Sequence, residues 1–242
     1  AITMKMQPAG TYVAVLAALL FGAAVGAVNG LLVSKGKIVP FITTLGTMTL
    51  VRGIMLTYTM QEPISGKDEF FTFWGGGSIG LIPTPFIIVM IISIALYIVL
   101  KYTQFGRNLY AVGGNPEAAF LSGIRVDRYK FYAFVISGVL AAVSGVLLAS
   151  RLNSSTPHIG LDSANWAIAA AIMGGASMAG GRGSVWGSIL GVVSLGILVN
   201  GMNLIGVHTY YQVGIRALIL LVVVIIDAIS ANNLRRKLEK QS

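Results

Sequence analysis

Tyr12–Val33 reads YVAVLAALLFGAAVGAVNGLLV, with no charged side chain from end to end. An apolar stretch of about 18 residues or more is long enough, as an α-helix, to cross the hydrocarbon core of a bilayer. Six further apolar segments follow at Ile38–Tyr58, Phe86–Leu100, Phe131–Ser150, Trp166–Met178, Ser184–Ile205 and Thr209–Ile229. A transmembrane β-barrel would instead show short segments of alternating polarity, and none are seen. The pattern predicts an all-α integral membrane protein, a polytopic bundle of transmembrane helices. Phe86–Leu100 is short for a span, and Pro83 and Pro85 are placed to open its helix. Trp166–Met178 is shorter still and is expected to be a short, broken or re-entrant helix, which needs protein or a water-filled cavity around its backbone.

Composition agrees. Of 242 residues, 55% are hydrophobic and 10% charged, and the mean hydropathy is +0.81; a soluble domain carries about 25% charged residues. There are no cysteines, which excludes disulfides, thiol catalysis and cysteine-based metal sites. The formal charge of +9 is an orientation signal. If the C-terminal tail with Arg235, Arg236, Lys237 and Lys240 is cytoplasmic, segment parity puts Lys35, Lys37, the whole of Lys101–Lys130 and Arg182 on the same side. The outer side keeps Lys5, Lys67 and Arg151. A nucleic-acid partner is not expected. The chain starts at Ala1 without Met and without a secretory signal pattern, and is expected to begin inside a longer protein.

Two outer loops, Thr59–Pro85 and Arg151–Asn165, are rich in turn residues. No low-complexity linker divides the chain, so a single domain over 1–242 is expected. Gly22, Gly26 and Gly30 form one small-xxx-small ridge, and Gly183, Gly187 and Gly191 another. Such ridges let helix backbones approach closely in lipid, and packing within one subunit is the expected use.

Motifs for catalysis are missing. There is no G-x-x-x-x-G-K-[ST] phosphate loop, no G-x-S-x-G elbow around Ser177 or Ser184 and no HExxH pair. His158 and His208 lie in outer loops, so no metal site is expected. Arg52, Arg216 and Asp227 are the ionisable residues within spans. Asp227 is expected near the inner interface, facing the basic tail. The arginines are expected to snorkel or form structural pairs. A coupling-ion site would place a carboxylate near mid-membrane, which counts against the alternative reading of a self-sufficient secondary carrier or channel. Thr43, Thr44 and Thr47 share one helical face. Asn200, Asn203 and Gln212 lie near the outer ends of the last two spans. For Thr43, Thr47, Asn200 and Asn203, a polar lining for a solute path and simple interhelical hydrogen bonding both stay open.

Lys101–Lys130 is a basic, mostly polar insertion. Gly106, Gly113 and Gly114 are expected to break the chain before Asn115-Pro116. Asn115 can cap a helix, Pro116 suits its first turn and Glu117 complements its dipole. The helix should run from about Pro116 to Ser122 and stop at Gly123 in a left-handed cap. A helix of two turns does not hold itself up in water and needs a partner surface.

Glu117-Ala118-Ala119-x-x-x-Gly123 resembles the cytoplasmic EAA motif of ABC-importer permeases. Gly106–Asn115, Leu121–Ile124, Phe41–Gly53 and Gly174–Gly183 are similar to the ribose-type, monosaccharide-transporting branch of that family, in order along nearly the whole chain. Residues 1–242 do not include the further N-terminal spans usual in the family, nor the downstream I-x-L-P part of the motif, which the ribose-type branch commonly lacks. The resemblance implies the membrane subunit of a bacterial inner-membrane sugar importer with no cofactor and no catalytic residues of its own. Its implied partners are a second permease subunit (expected to be another copy), a cytoplasmic ATPase that binds the ATP, and a periplasmic or lipid-anchored sugar-binding protein. It further implies that Glu117, Ala118, Ala119 and Gly123, with Arg125 beside them, form the coupling helix that fits a cleft of the ATPase. The outer loops would face the binding protein.

Overall fold

The structure is a computed structural model, and it describes residues 10–65, 69–156, 159–160 and 163–239. In chain order its elements are α1 (Thr11–Ser34), α2 (Pro40–Thr59), β1 (Ile64–Ser65), α3 (Glu69–Gly76), β2 (Ser78–Ile79), β3 (Ile82–Pro83), α4 (Thr84–Tyr102), α5 (Gln104–Gly114), α6 (Pro116–Leu121), α7 (Val126–Leu152), β4 (Ser154–Ser155), α8 (Ser163–Met173), α9 (Val185–Leu204) and α10 (Thr209–Glu239). Among the described residues, five helices are long and apolar enough to span a membrane: α1, α4, α7, α9 and the Tyr210–Asp227 part of α10. The short segment opened by its prolines has thus become a 19-residue helix with Pro85 in its first turn. α2 is 20 residues long, but its threonines and Arg52 keep it out of that group.

The chain forms two compact units. The first holds Ala1–Ile92 and Phe120–Ile159. Its centre is α1 laid along α7. A Cβ on Gly22 would come within 2.5 Å of the Gly138 carbonyl oxygen, and one on Gly26 within 2.5 Å of that of Phe134. Gly30 stands over Phe131, where a Cβ would meet the ring at 2.9 Å. Lipid tails are as apolar as leucine, so burial does not drive these helices together; close backbone packing does. At the far end of α7, Gly75 of α3 sits on the backbone of Leu147–Arg151, and Ser150 Oγ donates to the carbonyl of buried Phe71.

The two segments expected to face outward are more structured than their turn-rich sequence predicts. Thr59–Pro85 contains α3 and a β2–β3 hairpin, pairing Ser78 with Pro83 and Ile79 with Ile82. It also contributes β1, which pairs antiparallel with β4 from the Arg151–Asn165 segment. Leu81 at the hairpin tip is fully exposed.

The second unit holds Ser93–Ala119 and Gly160–Ser242. Ala169 and Ala170 of α8 and Leu195 of α9 make its small core, with Trp166, Ile219 and Leu220 against it. α8 is short for a local reason. Gly175 takes φ +89, the Ala176 amide donates to the Ala171 carbonyl, and the Gly175 amide donates to that of Ile172. This pair of bonds is a Schellman cap, which closes a helix. The segment drawn to Met178 therefore ends as a helix at Met173. Gly187 packs on the Gly174 carbonyl and Gly191 on that of Ala170. Gly183 does not belong to that helical ridge. It precedes the N-cap Ser184 with φ +153, and Ser184 Oγ accepts from the Gly187 amide.

Of the residues singled out in sequence, Lys5, Lys67, His158 and Lys240 lie outside the described residues, as do the side chains of Arg216, Arg235, Arg236 and Lys237.

Candidate functional site

α6 is built by its cap. Asn115 Oδ1 accepts from the amides of Glu117 and Ala118, both at 3.0 Å. These are donors that a helix start leaves without intrahelical partners. Asn115 also closes α5, since its own amide donates to the Ala111 carbonyl. One residue thus ends one helix and starts the next, with no slack between them. Glu117 lies in the first turn, where the helix dipole favours an anion. The helix predicted over Pro116–Ser122 spans Pro116–Leu121. Gly123 has φ +81, and its amide donates to the Phe120 carbonyl.

Burial divides the helix. Ala119 is 4% exposed, whereas Phe120 is 70% and Leu121 86% exposed. Glu117 and Ala118 are exposed too. Ala119 therefore seats the helix on its own protein, and Phe120 and Leu121 form an exposed apolar tip. Arg125 is the exposed N-cap residue of α7 and makes no side-chain cap bond. Beside it Asp127 accepts from Lys37 Nζ at 3.1 Å, tying the α1–α2 connection to the start of α7.

α5 corrects the sequence expectation that Gly106, Gly113 and Gly114 break the chain. All three lie inside this 11-residue helix. Gly106 is there because a Cβ would strike the Leu100 carbonyl at 2.1 Å, across the sharp joint capped by Thr103. Gly113 is there because a Cβ would come within 2.7 Å of the Gly181 nitrogen. The glycines mark close backbone approach rather than breaks. What the sequence left unassigned is that contact itself, although the paired Gly113-Gly114 and Gly180-Gly181 were a visible signal.

Several polar residues of the spans form bonds within the protein. Thr43 Oγ1 donates to the Val39 carbonyl, and Thr44 Oγ1 to that of Pro40. Thr47 Oγ1 lies 3.0 Å from the Thr43 carbonyl and 2.8 Å from Asn29 Oδ1 on α1, joining α2 to α1. Asn203 Oδ1 accepts from the Nε2 of buried Gln212 at 2.8 Å. Asn200, Asn203 and Arg52 are exposed. Asp227 accepts from the Met178 amide at 3.0 Å through Oδ2. A cavity of ≈ 140 Å³ in the second unit is lined by Asn165, Trp166, Ala169, Leu195 and Leu220 among others. It is too apolar to hold a polyol by itself, because a sugar site needs several convergent polar groups. No cluster of His, Asp or Glu suited to a metal occurs among the described residues.

A family model described as "Branched-chain amino acid transport system / permease component" matches residues 1–224. The ribose import permease protein of Bacillus subtilis (strain 168) is 43% identical over 201 residues, covering 82% of this chain and 62% of that protein. The ribose import permease protein of Escherichia coli (strain K12) is 42% identical over 220 residues, or 89% of this chain and 68% of that one. The D-allose transport system permease protein of the same strain is 37% identical over 230 residues, covering 93% and 70%. The chain thus spans about two thirds of the length of these relatives, and less than that of the first. No solved structure matches it.

Proposed function

The chain belongs to the family of permease components of the branched-chain amino acid transport type, and on that premise we propose that it is the membrane subunit of a bacterial ABC importer for a monosaccharide, ribose or a similar sugar. The curated relatives named above carry ribose and allose in their names, not amino acids, and this favours the sugar. The observation that carries the coupling half of the proposal is α6. It is a capped, two-turn helix whose Phe120 and Leu121 project from a basic segment.

In this reading 1–242 is a single permease domain in the bacterial cytoplasmic membrane, with a cytoplasmic C-terminus. Two copies enclose the path. Two cytoplasmic ATPases bind and hydrolyse ATP, and this chain hydrolyses none. Phe120 and Leu121 enter a cleft of the ATPase, each contributing about 1.5–3 kcal/mol when fully buried. Glu117, Ala118 and Arg125 rim the contact. ATPase closure displaces α6 as a rigid lever, and the spans move between inward- and outward-open states. Outside, the β1–β4 ladder and the exposed β2–β3 hairpin are the surfaces offered to the sugar-binding protein.

The test is reconstitution in proteoliposomes of the full-length permease with its ATPase and binding protein. Ribose uptake should require all three, and the permease alone should show no ATPase activity. Ribose uptake by the permease alone would overturn the proposal in favour of a self-sufficient carrier.

A further inference from the structure

We propose that Gly113, Tyr110 and Asp227 are positioning residues of the transport cycle. They carry the displacement of α6 into the short helix α8 and the last span α10, through a backbone clasp on the 174–183 loop. The proposal rests on the coupling role of α6 stated above and concerns where the stroke goes next.

The clasp has no side chains between its two halves. A Cβ on Gly113 would lie 2.7 Å from the Gly181 nitrogen, and one on Gly180 2.4 Å from the Gly113 carbonyl oxygen. Gly180 and Gly181 have φ +91 and +73, conformations that favour glycine. Backbone laid directly on backbone leaves no rotamers to absorb a displacement, so the contact transmits one. Tyr110 gives a second point of attachment. It lies three residues before Gly113, on the same face of α5, and its hydroxyl donates to the Gly183 carbonyl at 2.9 Å.

Both ends of this path are taut. On the α6 side, Asn115 is at once the last cap of α5 and the first of α6. On the loop side, the Ser177 amide donates to the Arg182 carbonyl, and the Gly180 amide to that of Ser177. The loop is therefore closed on itself. The Schellman cap joins it to α8, and Gly174 seats it on Gly187 of α9. From the middle of the loop, the Met178 amide donates to Asp227 Oδ2. A carboxylate at the end of a span is costly without a partner. This one takes the loop amide, which gives α10 a direct attachment to the clasp.

The experiment uses the complete importer in proteoliposomes and reads sugar taken up per ATP hydrolysed. That ratio is insensitive to how much protein assembles. Gly113→Ala and Gly114→Ala form a matched pair in the last turn of α5, where alanine suits a helix better than glycine. At Gly114 a Cβ would sit 3.8 Å from the nearest atom, the Gly181 Cα, in ordinary contact. Gly113→Ala should lower the ratio by about five-fold or more, the range of a typical coupling energy, and Gly114→Ala should leave it at the wild-type value. Asp227→Ala should lower the ratio, and Asp227→Asn, which keeps an acceptor for the Met178 amide, should restore it. Tyr110→Phe supplies a lowered ratio without steric change. Wild-type ratios in Gly113→Ala, Tyr110→Phe and Asp227→Ala would overturn the clasp while leaving the importer intact. A wild-type complex whose uptake ignores ATP would instead overturn the importer reading, and the clasp with it.

Discussion

Gly26→Ala adds one methyl group at the centre of the first unit, and the structure sets its cost. The new Cβ would stand 2.5 Å from the Phe134 carbonyl oxygen and 3.0 Å from Val135 Cα. The atoms it meets are backbone, with no side chain to swing away. Ordinary contact begins at 3.4 Å, so α1 and α7 would have to separate locally by about 0.9 Å, an overpacking that costs roughly 1–3 kcal/mol. Alanine is also the better helix former by about 1 kcal/mol, which would mask part of the loss. Gly145→Ala on α7 removes that ambiguity, because nothing lies within 4 Å of its Cβ. The propensity gain is common to both variants, so their difference isolates the helix contact. For a chain of this size, about 2 kcal/mol corresponds to roughly 4–8 °C in Tm. Thermal unfolding of both purified variants in detergent should show Gly26→Ala below Gly145→Ala by about that much. Equal midpoints would mean that α1 does not rest on α7 through its glycines.

Three further predictions concern local bonds. Asn115→Ala removes the acceptor for two amides and should destabilise the start of α6 by about 1 kcal/mol. Uptake per ATP should fall in that variant and hold in Asn115→Asp, and equal coupling in both would show that the cap is dispensable. Thr47→Val removes the hydroxyl shared with Asn29 and should cost on the order of 0.6 kcal/mol, with the KM for sugar unchanged; a raised KM would place Thr47 in the sugar path. Lys37→Ala breaks an ion pair whose side chains are 74% and 54% exposed. It should shift stability by no more than about 1 kcal/mol, and the effect should shrink at high salt; a larger, salt-independent loss would mean a desolvated pair.

The sequence carried the spans and the capped helix because both are encoded locally. Apolar length alone marks α1, α4, α7, α9 and α10. Asn115-Pro116-Glu117 and Gly123 likewise bracket α6 by short-range chemistry. The glycines were legible by position and ambiguous in meaning. Gly22, Gly26 and Gly30 repeat at helical spacing and do line a contact. Gly106 and Gly113 look like helix breakers, yet both lie inside α5: Gly106 leaves room for Leu100 across the α4–α5 joint, and Gly113 for Gly181, distant in sequence. Asp227 was hidden for the same reason. Its partner is the amide of Met178, distant in sequence, and an amide carries no residue-type signal. The β1–β4 ladder was equally out of reach. It joins strands of two residues each across two turn-rich segments, too short for any alternation to show.

The central claim is that Phe120 and Leu121 dock on a cytoplasmic ATPase while the β2–β3 hairpin faces outward. Because the chain has no cysteine, single introduced thiols report on it cleanly. In intact cells, a membrane-impermeant maleimide should label Leu81→Cys and leave Phe120→Cys untouched. In opened membranes Phe120→Cys should react, and co-assembly with the ATPase should protect it. Labelling of Phe120→Cys in intact cells, or unchanged reactivity when the ATPase is bound, would contradict the account.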